Sequence, residues 1–227
     1  FPPQKKEAGS SFLPAEAIQS LSSLMALALP LMGSRLVLNL LGSAEAVWIP
    51  NRLAASGLTS EEAYSVYGVL TGMSLPFIYF PSAITNSVAV LLLPAVARAC
   101  SEGDEGRISR LISMCLRYSC YMGILCIGVF SMFGLPLGLS VFKSSQAGRF
   151  MICLAWLCPF MYLAATLGSV LNGLGKTSVT FVLNVISMVI RLGFVLLAIP
   201  AFGIQGYLWG LLASEIALAF LDLIFLG

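Results

Sequence analysis

Arg35 and Asn39 stand four residues apart within an apolar run, so a helix there carries both on one face. An arginine so deep in an apolar segment costs ~2.5 kcal/mol or more at a bilayer centre and needs a partner or a wet cavity. Its fork suits two parallel hydrogen bonds to anionic oxygens such as a phosphate, and an acid elsewhere in the fold would serve it equally well as an ion-pair partner. A second set, Thr71, Ser74, Ser82, Thr85 and Asn86, clusters on one broad face of the next apolar run, close to Pro76 and Pro81. These groups could bond sugar hydroxyls, repair a proline-broken backbone or join helices. Asn184, Ser187 and Arg191 form a third stripe, and Glu215 and Asp222 an acidic one seven residues apart. Arg191 is expected to pair with Glu215, the alternative being a carboxylate, Glu215 or Asp222, that binds a coupling cation or proton.

The elements that must position these groups are apolar throughout. Residues are 59% hydrophobic and only 10% charged, with mean hydropathy +0.96, more apolar surface than a soluble core of 227 residues could hide. The chain is therefore read as an all-α integral membrane protein. Six apolar segments can be marked, at residues 18–48, 67–97, 111–139, 150–171, 179–200 and 204–226, each long enough to span. Residues 1–14 read as a polar cytoplasmic linker and residues 15–227 as one six-helix lobe. In the second segment Pro76 and Pro81 remove backbone donors and should bend or loosen the helix, with Gly72 and Gly68 one and two turns before. A hinge is expected there.

Several chemistries are excluded. The chain has no histidine, which rules out Ser/His/Asp and Cys/His catalysis and removes the commonest general base. Its six cysteines include no CxxC: Cys115, Cys120, Cys126, Cys153 and Cys158 lie in or near apolar spans and read as small buried hydrophobes, Cys100 lies on the expected cytoplasmic side, and no metal site or cofactor is expected. Gly173-Leu174-Gly175-Lys176-Thr177 lacks the first glycine of a P-loop. A net charge of +2 without a basic, aromatic-interleaved stripe gives no sign of nucleic acid binding. Asp104, Glu105, Arg107 and Arg110 open the third segment acids first, as a helix dipole prefers, near the membrane surface.

The order of several short motifs resembles the stage V sporulation protein B group of the multidrug/oligosaccharidyl-lipid/polysaccharide flippase superfamily, alongside lipid II flippases. The pieces are Ile49-Pro50-Asn51-Arg52-Leu53, Tyr67-Gly68, Leu70-Thr71-Gly72-Met73, Leu93-Pro94-Ala95, Leu171-Asn172-Gly173-Leu174-Gly175-Lys176 and Gly203-Ile204-Gln205-Gly206. One departure is Arg98, where many relatives carry an acid. The resemblance implies the carboxyl-terminal lobe of a two-lobe transporter, with its amino-terminal lobe upstream, in a bacterial plasma membrane. It implies alternating access for a lipid-linked anionic saccharide, a peptidoglycan or polysaccharide precursor, without covalent chemistry and with Na⁺ or H⁺ as conceivable coupling ions. Arg35, Asn39, Thr71, Ser82, Thr85 and Asn86 become substrate-binding candidates, and Pro76 and Pro81 the hinge. Cation-coupled multidrug efflux is the competing transport reading, although it expects an acidic cavity where Arg35 stands. A scaffold for cell-wall or spore assembly, and a lipid-carrier transferase lacking its histidine, are the readings from other classes.

With the amino end inside, the internal segments hold Lys5, Lys6, Arg98, Arg107, Arg110, Arg117 and Lys176, against Arg52, Lys143 and Arg149 outside. That asymmetry places both ends in the cytoplasm. An impermeant thiol reagent added to intact cells should leave Cys100 unlabelled, and labelling from outside would reverse the orientation.

Overall fold

The computed structural model describes the backbone of residues 14–226 and the side chains of residues 32–226. The linker expected at residues 1–14 lies, apart from Pro14, outside the described residues. The chain divides into two compact units, residues 1–40 and 41–227. Among the described residues there is no strand. Helix α1 runs over Pro14–Ala55, and its stretch up to Leu40 makes up the described part of the first unit.

In the second unit, Thr59 opens α2 (Ser60–Val69) with a reciprocal cap: its hydroxyl accepts from the Glu62 N–H, and the Glu62 carboxylate accepts from the Thr59 N–H at 2.9 Å. These bonds, from the Thr59 backbone first and its hydroxyl second, hold the Glu62 carboxyl below its usual value. The helix then widens into a π-helical turn, Leu70–Ser74, and continues as the short α3 (Leu75–Tyr79) before breaking at Phe80 and Pro81. Both prolines fall where a missing donor is tolerated, Pro76 in the first turn of α3 and Pro81 at the cap of α4 (Ser82–Glu102). The Phe77 carbonyl, deprived of a donor by Pro81, accepts instead from Phe80 N–H at 3.3 Å. The bend expected from sequence is thus a break with a π turn ahead of it.

Gly103 leaves α4 in the left-handed region, and the Asp104 carboxylate caps α5 (Glu105–Phe142) by accepting from Arg107 N–H at 2.8 Å. The fourth apolar segment, read as one span, is two helices, α6 (Ser145–Ala155) and α7 (Cys158–Gly173), bent by 54°. Pro159 accounts for the break, since it has no N–H for the Ala155 carbonyl. Next come α8 (Thr177–Leu197), the single turn α9 (Ile199–Phe202) and α10 (Ile204–Leu226). Among the described residues four helices, α4, α5, α8 and α10, are long and apolar enough to cross a membrane, and α6 with α7 would be a fifth span if the bent pair crosses as one. The remaining apolar segment, residues 18–48, lies on α1, where side chains before residue 32 fall outside the described residues.

Packing centres on α7, which touches α4, α5, α8 and α10, while α5 lies along α6 and α8 along α10. Apolar burial gives little drive between helices in lipid, so close backbone approach carries the contact. Gly138 on α5 and Gly148 on α6 meet so closely that a Cβ on either would collide with the other helix's backbone. A buried polar clasp joins α5 to α7, with the Ser119 and Thr166 hydroxyls 2.9 Å apart beside the Tyr162 carbonyl. Gly148→Val should destabilise the protein by ~1–3 kcal/mol in detergent unfolding, the usual cost of overpacking. Gly128→Val, where a Cβ meets nothing within 4 Å, should change it little; equal losses would dissolve the α5–α6 contact as a stabilising element.

Candidate functional site

The charged centre of the second unit is Glu45, on the carboxyl-terminal part of α1 and only 6% exposed. Its Oε1 accepts from the Tyr207 hydroxyl of α10 at 2.8 Å and lies 2.9 Å from Nε of Arg191 on α8. Nε nevertheless has no aligned hydrogen-bond acceptor, so the contact is a charge pair by proximity and the directional bond comes from tyrosine. One and two turns further along α1, Ile49 and Leu53 are fully buried in the apolar cluster that also holds Val195, Ile199 and Tyr207. That cluster sets the rotation of α1 which aims Glu45 at α8 and α10.

Arg191 therefore does not take Glu215 as its ion-pair partner. The register between the antiparallel α8 and α10 explains why. Ser187 donates to the Ser214 carbonyl at 3.1 Å, and Gly210 accepts the close approach of Phe194. Glu215 consequently stands level with Ser187, about a turn along α8 from Arg191, within electrostatic reach but out of contact. Two turns beyond, Asp222 is 1% exposed and its Oδ1 has no hydrogen-bond partner. The stripe read along α8 splits into three jobs: Asn184 donates to the Thr180 carbonyl at 2.7 Å, Ser187 fixes α10, and Arg191 meets α1.

The candidates of the second apolar segment are not brought to this centre. Arg35 and Asn39 are exposed, on the part of α1 that belongs to the first unit. Thr71 donates to the Tyr67 carbonyl at 2.8 Å, Ser82 to the Tyr79 carbonyl at 2.6 Å, and buried Thr85 to the Ser82 carbonyl at 2.9 Å. Each hydroxyl proton is thus engaged by the chain's own backbone around the break, and the oxygen lone pairs remain as acceptors. Ser74 crosses to the Ala147 carbonyl of α6 at 3.1 Å. Asn86 is exposed, as is Pro76, while Pro81 is half-buried. Among the described residues no three His, Cys, Asp or Glu side chains are grouped to hold a metal ion.

Glu45 and Tyr207 are the site residues that sequence reasoning missed. The available signal was that Glu45 is the one acid in the apolar segment 18–48, as Arg191 is the one base in segment 179–200. Two lone opposite charges buried in apolar surroundings are each other's natural partners.

Such a molecule is an all-α membrane protein whose charged core pairs side chains of different spans. Over 190 residues, 83% of its length, the chain is 27% identical to stage V sporulation protein B of Bacillus subtilis (strain 168), covering 37% of that protein. It is also 24% identical over 169 residues to the sporulation protein YkvU of the same organism, covering 38% of it. These similarities bear out the resemblance carried by the sequence motifs. The chain spans less than two-fifths of the length of either relative. No family model and no solved structure matches it.

Removing one member of the buried pair should cost ~3–5 kcal/mol because the other charge is stranded. Glu45→Gln and Arg191→Met should each lower the unfolding midpoint in detergent, and the double variant should lose clearly less than the two losses combined. Strict additivity would mean the two side chains do not interact.

Proposed function

We propose that this chain is the second lobe of a transporter that moves lipid-linked saccharides, precursors of peptidoglycan or another polysaccharide, across a bacterial plasma membrane by alternating access. The observation that carries this reading is the broken second span. Irregular backbone at membrane depth is tolerated only where protein buries it or where it lines a wet cavity. Here the break is not buried by the lobe itself: Phe80 is 81% exposed, and Pro76 and Asn86 are exposed as well. A cavity between this lobe and its amino-terminal counterpart would account for that exposure, the break standing where α4, itself long enough to span, begins. The similarity to the two sporulation proteins agrees with the resemblance on which this reading rests.

In this reading Arg35, with Asn39 on its face, meets the anionic phosphate of the carrier lipid. Thr71 and Ser82 would meet sugar hydroxyls as acceptors, because their own protons are engaged, and Asn86 would supply the donor, whereas Thr85, expected from sequence to join them, is fully buried and out of the cargo's reach. The π turn and the Phe80–Pro81 break would let one part of the span swing while the other stays packed. Nothing covalent is done to the cargo. The unpartnered Oδ1 of Asp222 favours a coupled cation, Na⁺ or H⁺, which is also the feature that a multidrug exporter of the same superfamily would share.

The test is flipping of a fluorescent lipid-linked saccharide in proteoliposomes containing the whole two-lobe protein. Arg35→Ala should slow flipping at least about tenfold, the loss of one charge-assisted contact of ~1.5–3 kcal/mol, and Arg35→Lys should restore part of it. Pro76→Ala combined with Pro81→Ala should slow flipping while leaving substrate binding intact. Flipping at the wild-type rate by the arginine variant would remove that residue from the site. A wild-type protein that flips nothing would leave the scaffold reading.

A further inference from the structure

Helix α5 is 38 residues long, which at 1.5 Å per residue is about 57 Å, far more than a ~30 Å hydrocarbon core. Its exposed side chains show where the surplus lies. From Ile124 onward the exposed row is Ile124, Leu125, Val129, Met132 and Phe133, all lipid-compatible. Ahead of Tyr121, itself 72% exposed, the row becomes Arg117, Ser113 and Arg110. Tyrosine favours the headgroup level, so with the expected orientation Arg117, four residues and ~6 Å nearer the cytoplasm, would stand at the depth of lipid phosphates.

We propose that this first part of α5 is a docking surface for the phosphate of an anionic phospholipid of the cytoplasmic leaflet. A shallow groove of about 550 Å³ runs over Arg110, Ser113, Arg117, Tyr118 and Tyr121. It shares Ser109 and Ser113 with a second groove, about 330 Å³, between the start of α5 and Leu226 at the end of α10. The neighbouring charges are disposed of elsewhere: Arg107 pairs with Glu102 at 3.2 Å, and Asp104 caps the helix. Arg110 spends only its Nε–H, on the Gly106 carbonyl at 3.2 Å, which leaves both terminal NH₂ groups. Arg117 has no carboxylate partner among the described residues. Two guanidinium forks two turns apart, with a serine hydroxyl between them, match the oxygens of a phosphodiester, and the leaflet concentrates anionic lipid at that level. Glu105 lines only the second groove, beyond the proposed phosphate position. The apolar row beyond Tyr121 gives the acyl chains a continuous bed, which an acidic peptide or a nucleic acid would not use.

The experiment is native mass spectrometry of the detergent-solubilised chain offered phosphatidylglycerol or phosphatidylcholine. Wild-type protein should retain phosphatidylglycerol preferentially, by roughly fivefold per arginine and about thirtyfold for both. Arg110→Gln with Arg117→Gln should abolish the preference while helical content and melting stay unchanged, since both side chains are exposed. The Arg110→Lys, Arg117→Lys pair should keep most of it. Equal retention of the two lipids by the wild type, an undiminished preference in the glutamine pair, or as large a loss from Arg52→Gln at the other end of the membrane would each overturn the proposal.

Discussion

A carboxylate cannot stay charged and alone in an apolar medium, and the charged centre of this protein is arranged around that constraint at Glu45. A guanidinium from α8 offsets its charge and a phenol from α10 donates to it, so α1 is held to one depth with two helices far from it in sequence. The same depth is enforced independently by the Ser187 hydroxyl on the Ser214 carbonyl and by Gly210 admitting Phe194. A slip of one helical turn between α8 and α10, ~5.4 Å, would part Tyr207 from Arg191 at the shared oxygen. Polar contact and small-residue packing thus specify one register from two directions, and neither alone would do so in lipid.

The membrane class and the placement of the apolar helices, though not their ends, were legible in the sequence because they depend on local chemistry. Long apolar runs, Asp104 ahead of the third segment and the Pro76–Pro81 pair all announce themselves within a few residues. The π turn at Leu70–Ser74 does not, since widening by one residue changes no hydrophobic pattern and is settled by packing. Pro159 was visible, yet a lone proline within an apolar run leaves open whether a helix merely kinks or divides, as α6 and α7 do at 54°. Arg191's partner was the larger miss. Glu215 is near in sequence and on the adjoining helix, whereas Glu45 becomes close only through the burial of Ile49 and Leu53, a long-range fact that periodicity does not carry.

Two kinds of arginine emerge from the comparison of α8 with α5. Arg191 is enclosed, paired, and structurally expensive to replace; Arg110 and Arg117 are exposed and tied to no carboxylate among the described residues. The hydroxyls divide in the same way. Ser119, Thr166, Ser187 and Ser74 join one helix to another, while Thr71, Ser82 and Thr85 satisfy carbonyls of their own segment beside the break. Polar residues in apolar spans are costly enough that each has a definite task, and the task follows from which neighbour the backbone presents, not from residue type.

The distance in sequence between Glu45 and its partners has a consequence for biogenesis. Tyr207 lies 162 residues downstream of the carboxylate it binds. At ribosomal speeds of roughly 5–20 residues per second, α1 is synthesised about 8–30 seconds before α10 exists to receive it. Throughout that interval the glutamate must remain in water, carry a proton, or be sheltered by the insertion machinery. Helices α8 and α10 supply the missing partners only once both are made, because a nascent chain truncated before α8 still displays an orphan acid in α1. An exposed intramembrane charge of that sort gives cellular quality control a physical means of telling an unfinished protein from a complete one.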